Sequence, residues 1–381
     1  MDKIPPVELT QQYRAIADEL LPAVEAVISS GRYIGGQAVT TLESSLAQFL
    51  GCTEVVACNS GTDALYLAMR ALDIGPGDEV LVPPFTFFAS AESVSMTGAR
   101  PVFADIEAET FNLDCDRLEA AITPRTKAIM PVHLFGQPAN MTAVMEIAER
   151  YQLAVVEDCA QATGACWDGR QVGAIGHVGC FSFFPTKNLG GMGDGGAVST
   201  SDPAIAAKVR VLKEHGSKER YYHEALGVNS RLDALQAAIL NVKLPYLREW
   251  NWRRRSLAAT YQALLADCPG IALPQGVKGG QSVWNQFTIR IQSDGSSGER
   301  RDRVKQALFD AGVISMIYYP VPIHLQEAYA DLGHKPGDFP VSEQCAREVL
   351  SLPMFPELTY AQQKRVAEAL YEALSPSAAV A

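Results

Sequence analysis

From about Thr53 to Thr200 the chain alternates short apolar runs with helical patterns, and no other feature constrains its fold as much. The runs Val55–Cys58, Val80–Pro83, Pro101–Ala104, Ala128–His133, Ala154–Glu157, Cys180–Phe184 and Ala197–Thr200 have the length and character of buried strands. Helical stretches such as Asp63–Ala71 and Met141–Tyr151 lie between several of them, and in the first Ala64, Leu65, Ala68, Met69 and Leu72 share one face. The pattern predicts an α/β fold whose mostly parallel sheet is covered by helices on both sides.

After about Pro245 the pattern changes. A long polar-faced helix, Tyr246–Asp267, leads to a strand candidate at Asn285–Ile291 and a helix near Arg301–Ala311. A strand candidate at Ile314–Tyr319 and a last helix at Ala361–Leu374 follow. We therefore expect a large α/β domain over residues 1–244 and a smaller C-terminal α+β domain over 245–381. In such a pair, ligands bind at strand C-terminal ends and at the domain boundary.

A formal charge of −11 excludes the broad basic face that a nucleic acid requires, though a small anionic substrate needs only a local basic pocket. The one basic cluster, Arg253-Arg254-Arg255, falls in a helical stretch and reads as a solvated helix face. No apolar run reaches the length of a membrane span, and the N-terminus has no signal-peptide pattern, so a soluble cytoplasmic protein is expected. The eight cysteines form no Cys-x-x-Cys pair and the six histidines show no metal-ligand spacing. Reduced, mostly buried thiols and no metal are expected.

Three segments carry chemistry. Val155-Val156-Glu157-Asp158 is an apolar run ending in two carboxylates at a strand tip. A carboxylate there serves a metal, a ribose hydroxyl or a ring nitrogen equally well. In Phe181-Ser182-Phe183-Phe184-Pro185-Thr186-Lys187 a lysine follows an aromatic strand, where apolar neighbours disfavour its ammonium form and free the amine for imine formation. A lysine on one side of a ring and an aspartate at its nitrogen are what pyridoxal phosphate (PLP) demands. Asn59-Ser60-Gly61-Thr62-Asp63 joins a strand to a helix and offers N–H groups, hydroxyls and a helix dipole to a phosphate. Alone, it is equally an ordinary N-cap.

Gly191-Met192-Gly193-Asp194-Gly195-Gly196 fits the dinucleotide fingerprint, but Ala197–Thr200 after it reads as a strand rather than the required helix. The glycines are read instead as a tight loop beside Lys187.

With these motifs in place, the chain resembles the DegT/DnrJ/EryC1/StrS sugar aminotransferases of PLP fold type I. The matching stretches are Ser30–Gly36, Asn59–Leu65, Gly75–Val80, Pro131–Gly136, Glu157–Gly164, Phe181–Gly196, Asn229–Ala238 and Tyr319–Leu325, in family order. Pro131–Gln137 and Tyr319–Leu325 look most like the enzymes that aminate a nucleotide-linked 3-keto-sugar. The resemblance implies that Lys187 holds the cofactor as an imine and shuttles the proton, and that Asp158 partners the ring nitrogen. It further implies that Gln161 meets the ring's phenolic oxygen, that Phe87 stacks on the ring, and that Gly61, Thr62 and Ser182 bind the phosphate. Asn229 is then a phosphate ligand from a second subunit, which makes a homodimer obligatory. Tyr319, His324 and Arg231 are candidate substrate contacts, with Lys213 and His215 as further positive charge for a diphosphate. Phe184 stands where the family pattern often places Tyr.

The implied reaction is a ping-pong transfer of an amino group from L-glutamate to a nucleotide-linked keto-sugar, probed by whether Lys187→Ala loses turnover. The alternatives are a sugar dehydratase, against which Lys187 speaks; a lyase or desulfurase on the same fold; and a non-catalytic regulator. No cysteine in an evident exposed loop favours a desulfurase, and no helix-turn-helix favours a DNA-binding regulator.

Overall fold

The computed structural model describes residues 3–292 and 298–375. Strands β1 (Glu54–Cys58), β2 (Glu79–Val82), β3 (Arg100–Phe103), β4 (Thr126–Ile129), β5 (Ala154–Asp158), β6 (Val178–Ser182) and β7 (Gly196–Thr200) form one sheet in the order β1-β7-β6-β5-β4-β2-β3. Every neighbouring pair is parallel except those of β7, which runs antiparallel to both β1 and β6. All seven expected strands form, each within two residues of its expected start.

Successive strand residues enter different cores, which is why these strands read as continuous apolar runs. Val55, Ala57, Leu81, Ile129 and Val155 face one cluster, with helices α2 (Gln37–Leu50), α5 (Met141–Tyr151) and α7 (Ala234–Lys243) supplying its other side. Val56, Val80, Val82, Ala128 and Val156 face a second cluster, closed by α3 (Gly61–Ala71), α4 (Ala89–Met96) and α6 (Pro203–Leu212). The first helix, α1 (Thr10–Ser30), packs on α7 through Ile16, Leu20 and Ile239.

Beyond α7, helix α8 (Leu247–Leu265) leads to an antiparallel sheet of β8 (Ile271–Ala272), β9 (Phe287–Ile291) and β10 (Val349–Leu352). Helices α8, α9 (Glu299–Asp310) and α11 (Tyr360–Leu374) bury Tyr261, Val304, Leu308, Val366 and Leu370 against it. The chain's start joins this core: Ile4 is buried there and pairs with residues 312–314. Helix α10 (Pro340–Glu348) runs directly into β10.

Two expectations are corrected. Ile314–Tyr319 is not a strand: only Met316 bridges the sheet, opposite Ser351. The Arg253–Arg255 cluster is not wholly a solvated face, because Arg254 is buried. Its Nη1 donates to the carbonyls of Trp284, Asn285 and Met354 at 3.1, 3.2 and 3.1 Å, and burial brings the guanidinium down to about 10. One guanidinium nitrogen shared among three carbonyls ties α8 to the segments flanking β9 and β10. All eight cysteines are free thiols.

Candidate active site

The C-terminal ends of β1, β5 and β6 share one edge of the large sheet, and the chemistry-bearing residues collect there. Cys58, Gly196 and Ser182 stand side by side in register across β1, β7 and β6. A Cβ on Gly61 would lie 2.7 Å from Ser182 Cβ, and one on Gly196 would lie 2.3 Å from the Ser60 carbonyl oxygen. This close approach needs glycine at both positions. Gly196 also opens β7, so the glycine run leads into a strand and is no dinucleotide loop.

Ser60 caps α3, its Oγ accepting from the Asp63 N–H at 3.0 Å. The N–H groups of Gly61 and Thr62 find no acceptor among the described residues. Two free N–H groups at a positive helix end, over a floor that only glycine permits, form an anion cradle sized for a phosphate. Ser230 closes one side, donating to Asp63 at 2.7 Å and accepting from the Asn59 N–H at 3.2 Å. Its neighbour Asn229 is exposed. Arg231 and Lys213 lie 3.6 and 4.0 Å from Glu214, and the Arg231 Nε is buried without a partner; His215 is exposed.

Period two in β5 separates the two adjacent carboxylates. Glu157 accepts from the N–H groups of Gly173, Ile175 and Gly176 at 2.8, 2.9 and 2.7 Å and lies 3.1 Å from His133 Nε2. His133 Nδ1 accepts from the Ala139 N–H at 3.0 Å, so Nε2 carries the proton and donates to Glu157. Burial pushes the Glu157 carboxyl up, but the His133 contact and the backbone N–H groups outweigh it and hold it below its ordinary value. Glu157 is thus spent on the fold. Asp158 faces the site: Oδ2 accepts from Ser90 Oγ at 2.8 Å and Oδ1 from the Ala160 N–H at 3.1 Å. Thr86 Oγ1 lies 3.1 Å from Ser90 Oγ, extending the chain of hydroxyls.

Lys187 sits in the loop after β6, its N–H bonded to the Phe184 carbonyl at 2.9 Å. Burial drives its amine down to about 8, with the Asp158 charge pulling the other way. An amine in that range is a competent nucleophile near neutral pH. Gln161 is locked at both ends: Oε1 accepts from the Phe135 N–H at 2.6 Å and Nε2 donates to the Tyr319 hydroxyl at 3.0 Å. Tyr319 therefore receives a hydrogen bond and keeps its own proton to give, and burial pushes its phenol up. Phe87 is 57% exposed, its ring 6.0 Å from that of Tyr319. An aromatic face left this open beside a buried amine and carboxylate suits a planar ligand.

Thus Gly61, Ser182, Lys187, Asp158, Gln161, Tyr319 and Phe87 converge on one sheet edge. His324 lies elsewhere, against Phe103, Phe339 and His334, with Nε2 3.2 Å from Glu343. Its side chain has no accessible surface, and burial holds its imidazole below the ordinary value despite Glu343. Sequence reasoning missed Ser90, which holds Asp158, Thr86 beside Ser90, and Asn188, Asn251 and Asn285, which bond around the Lys187 loop. Apart from the Thr86–Ser90 contact, the bonds that tie them to Asp158 and to one another span 63 to 97 residues, so no local pattern marks them.

Residues 14–371 match the DegT/DnrJ/EryC1/StrS aminotransferase family. The chain is 46% identical, over 97% of its length and 98% of the relative, to the pleiotropic regulatory protein of Geobacillus stearothermophilus. It is also 46% identical, with the same coverage, to UDP-N-acetyl-3-dehydro-alpha-D-glucosamine 3-aminotransferase of Acidithiobacillus ferrooxidans. The crystal structure of S. venezuelae DesV in complex with a ketimine intermediate superposes with a TM-score of 0.94, at 45% identity over 98% of each chain. Sequence, fold and the buried amine beside a bonded carboxylate agree, and the chain belongs to the DegT/DnrJ/EryC1/StrS aminotransferase family.

Proposed function

We propose that this chain is a PLP-dependent aminotransferase that moves an amino group from L-glutamate to the keto carbon of a nucleotide-linked sugar, a 3-keto-6-deoxyhexose on a nucleoside diphosphate in our reading. The observation that carries it is the Lys187 amine, brought by burial to about 8 and answered by Asp158 across the site. The cofactor fits the residues present: the glycine-floored cradle at Gly61 and Thr62 suits its phosphate, and the open face of Phe87 suits its ring. The Acidithiobacillus relative, named for amination at carbon 3 of a UDP-sugar, supports the substrate class.

When bound, PLP supplies a carbonyl carbon that exchanges amines and a ring that withdraws electrons from the substrate carbon. The remaining work belongs to the chain. With PLP in place, the Lys187 Nζ would hold its carbonyl carbon and, when free of it, would be the group to take and give a proton, because burial brings its amine to about 8. Asp158, oriented by Ser90 and the Ala160 N–H, stands as the counter-charge for a ring nitrogen. Gln161 and Tyr319 present donors, the second fixed by the first. Arg231, Lys213 and His215 are proposed to meet a diphosphate.

The division into a large domain through residue 244 and a smaller one beyond it belongs to the same proposal, as does a cytoplasmic homodimer. Among the described residues, no helix is long and apolar enough to cross a membrane. Exposed Tyr33, Ile34, Phe184 and Met192 form an apolar rim beside the Lys187 loop and α7, which a second copy would cover while bringing Asn229 to the cradle. The test is chemical: borohydride reduction of the PLP-loaded protein, followed by peptide mass spectrometry. A phosphopyridoxyl group on Lys187 is expected; the same group on another lysine overturns the assignment.

A further inference from the structure

Asn188 of the loop that carries Lys187 is met there by two more buried asparagines and a buried lysine, contributed by three separate segments. Asn188, next to Lys187, donates from Nδ2 to Asn251 Oδ1 at 2.7 Å and to the Val283 carbonyl at 3.0 Å. Its Oδ1 accepts from Asn285 Nδ2 at 2.7 Å, and that same group reaches the Thr186 carbonyl at 3.4 Å. Asn251, on α8, spends its own Nδ2 on the Thr163 carbonyl at 3.0 Å. Each amide orientation is forced by its neighbours, since an N–H must meet an oxygen at every link. On the other side, Lys243 at the end of α7 donates from Nζ to the Gly190 carbonyl at 2.6 Å. Burial alone brings the Lys243 amine down to about 8, and no carboxylate is among its bonded partners.

Such groups are costly to bury, and apolar packing would stabilise the fold at least as well. Their shared target is informative: Thr186, Asn188 and Gly190 bracket Lys187 on either side. The loop's own turns, Lys187 N–H to Phe184 and Gly191 N–H to Phe183 at 2.9 and 2.7 Å, the buried Leu189, and Gln236, which accepts from the Met192 N–H at 2.8 Å, hold it further along.

We infer that Asn188, Asn251, Asn285 and Lys243 are positioning residues that clamp the Lys187 loop shut and so keep water from its amine. Through Asn251 and Asn285 the clamp also links the loop to α8 and to the segment before β9. This inference rests on the reading of Lys187 as the cofactor lysine, but its test does not. Among the described residues, Asp158 on β5 is the one charged group that acts on the Lys187 amine, and the clamp leaves it in place. Loosening the loop admits water to the amine and weakens the pull of Asp158; burial is the larger of these two opposed effects, so the amine binds its proton more tightly.

The experiment is competitive amine labelling of the protein without PLP across a pH series, with the Lys187 peptide followed by mass spectrometry. Wild-type Lys187 is expected to reach half-reactivity near pH 8. Asn251→Leu and Lys243→Met are each expected to move that midpoint up by about one unit, a roughly five-fold loss of reactivity at pH 8. Lys243→Met keeps the side-chain stem and removes a buried charge, so it carries the test if Asn251→Leu does not fold. Variants with wild-type circular dichroism and an unmoved midpoint would overturn the clamp. Because labelling needs no cofactor, failure of the borohydride assignment and failure of the clamp are separate results.

Discussion

Lys187 and Asp158 show how two side chains acquire roles from their surroundings. Lys187 carries a charge that burial penalises, and Asp158 only partly relieves it. The folded amine releases its proton near 8, whereas an unfolded lysine holds its proton to about 10.5. Between these values the unfolded chain binds more protons, so stability rises with pH there, and the cost is fully present below about 8. Lys187→Met removes that cost. Without PLP, the variant is expected to be more stable than wild type by about 1–3 kcal/mol at pH 7. The advantage should fade as pH climbs toward 10.5, which urea denaturation at the two ends checks. Both residues were legible in the sequence because each ends or follows an apolar run. The strand pattern alone left Glu157 and Asp158 equal and the resemblance chose Asp158; the physical reason lies in the partners on each face, three of Glu157's being N–H groups 16 to 19 residues away.

At the level of elements, the cradle is a strand-to-helix joint made possible by close packing. Gly61→Ala places a methyl 2.7 Å from Ser182 Cβ and 3.2 Å from its Cα, a contact that only movement of α3 or β6 relieves. The expected effect is at least about a ten-fold loss of PLP affinity, consistent with 1–3 kcal/mol of overpacking. Affinity for pyridoxal, which lacks the phosphate, should change little, and spectroscopic titration with both compounds separates them. The seven strands were legible because each is a short, largely buried apolar run, and most are set off by helical patterns. Ile314–Tyr319 has the same apolar look, but only Met316 finds a strand partner. β10 escaped notice for the opposite reason, since Glu348 ends a helix and Val349 begins the strand with no turn residue between. Arg254 reads as one of three surface arginines until the carbonyls at positions 284, 285 and 354 are brought to it by the fold.

For the whole molecule, the proposed homodimer makes a quantitative prediction. If Asn229 completes the partner's cradle, Lys187→Ala and Asn229→Ala subunits are each inactive alone, yet a mixed dimer holds one intact site. Randomly reassorted equal mixtures should regain about a quarter of wild-type activity, because half the dimers are mixed and each has one working site of two. Activity that stays at the level of the separate variants would show that Asn229 serves its own subunit. The resemblance found in the sequence covers nearly the whole chain, which explains why the overall architecture was legible so early. The substrate pocket was less so: Tyr319 reaches Gln161 across 158 residues, and His324, five residues further on, is sealed among Phe103, His334 and Phe339.

The most direct measurement is the visible absorbance spectrum of the PLP-loaded protein before and after L-glutamate. A yellow band that bleaches with glutamate, returns with a nucleotide-linked keto-sugar and never forms in Lys187→Ala is the expected result. A protein that stays colourless with PLP, or a Lys187→Ala variant that keeps the full glutamate-sensitive band, would contradict the assignment of Lys187 as the residue that holds the cofactor.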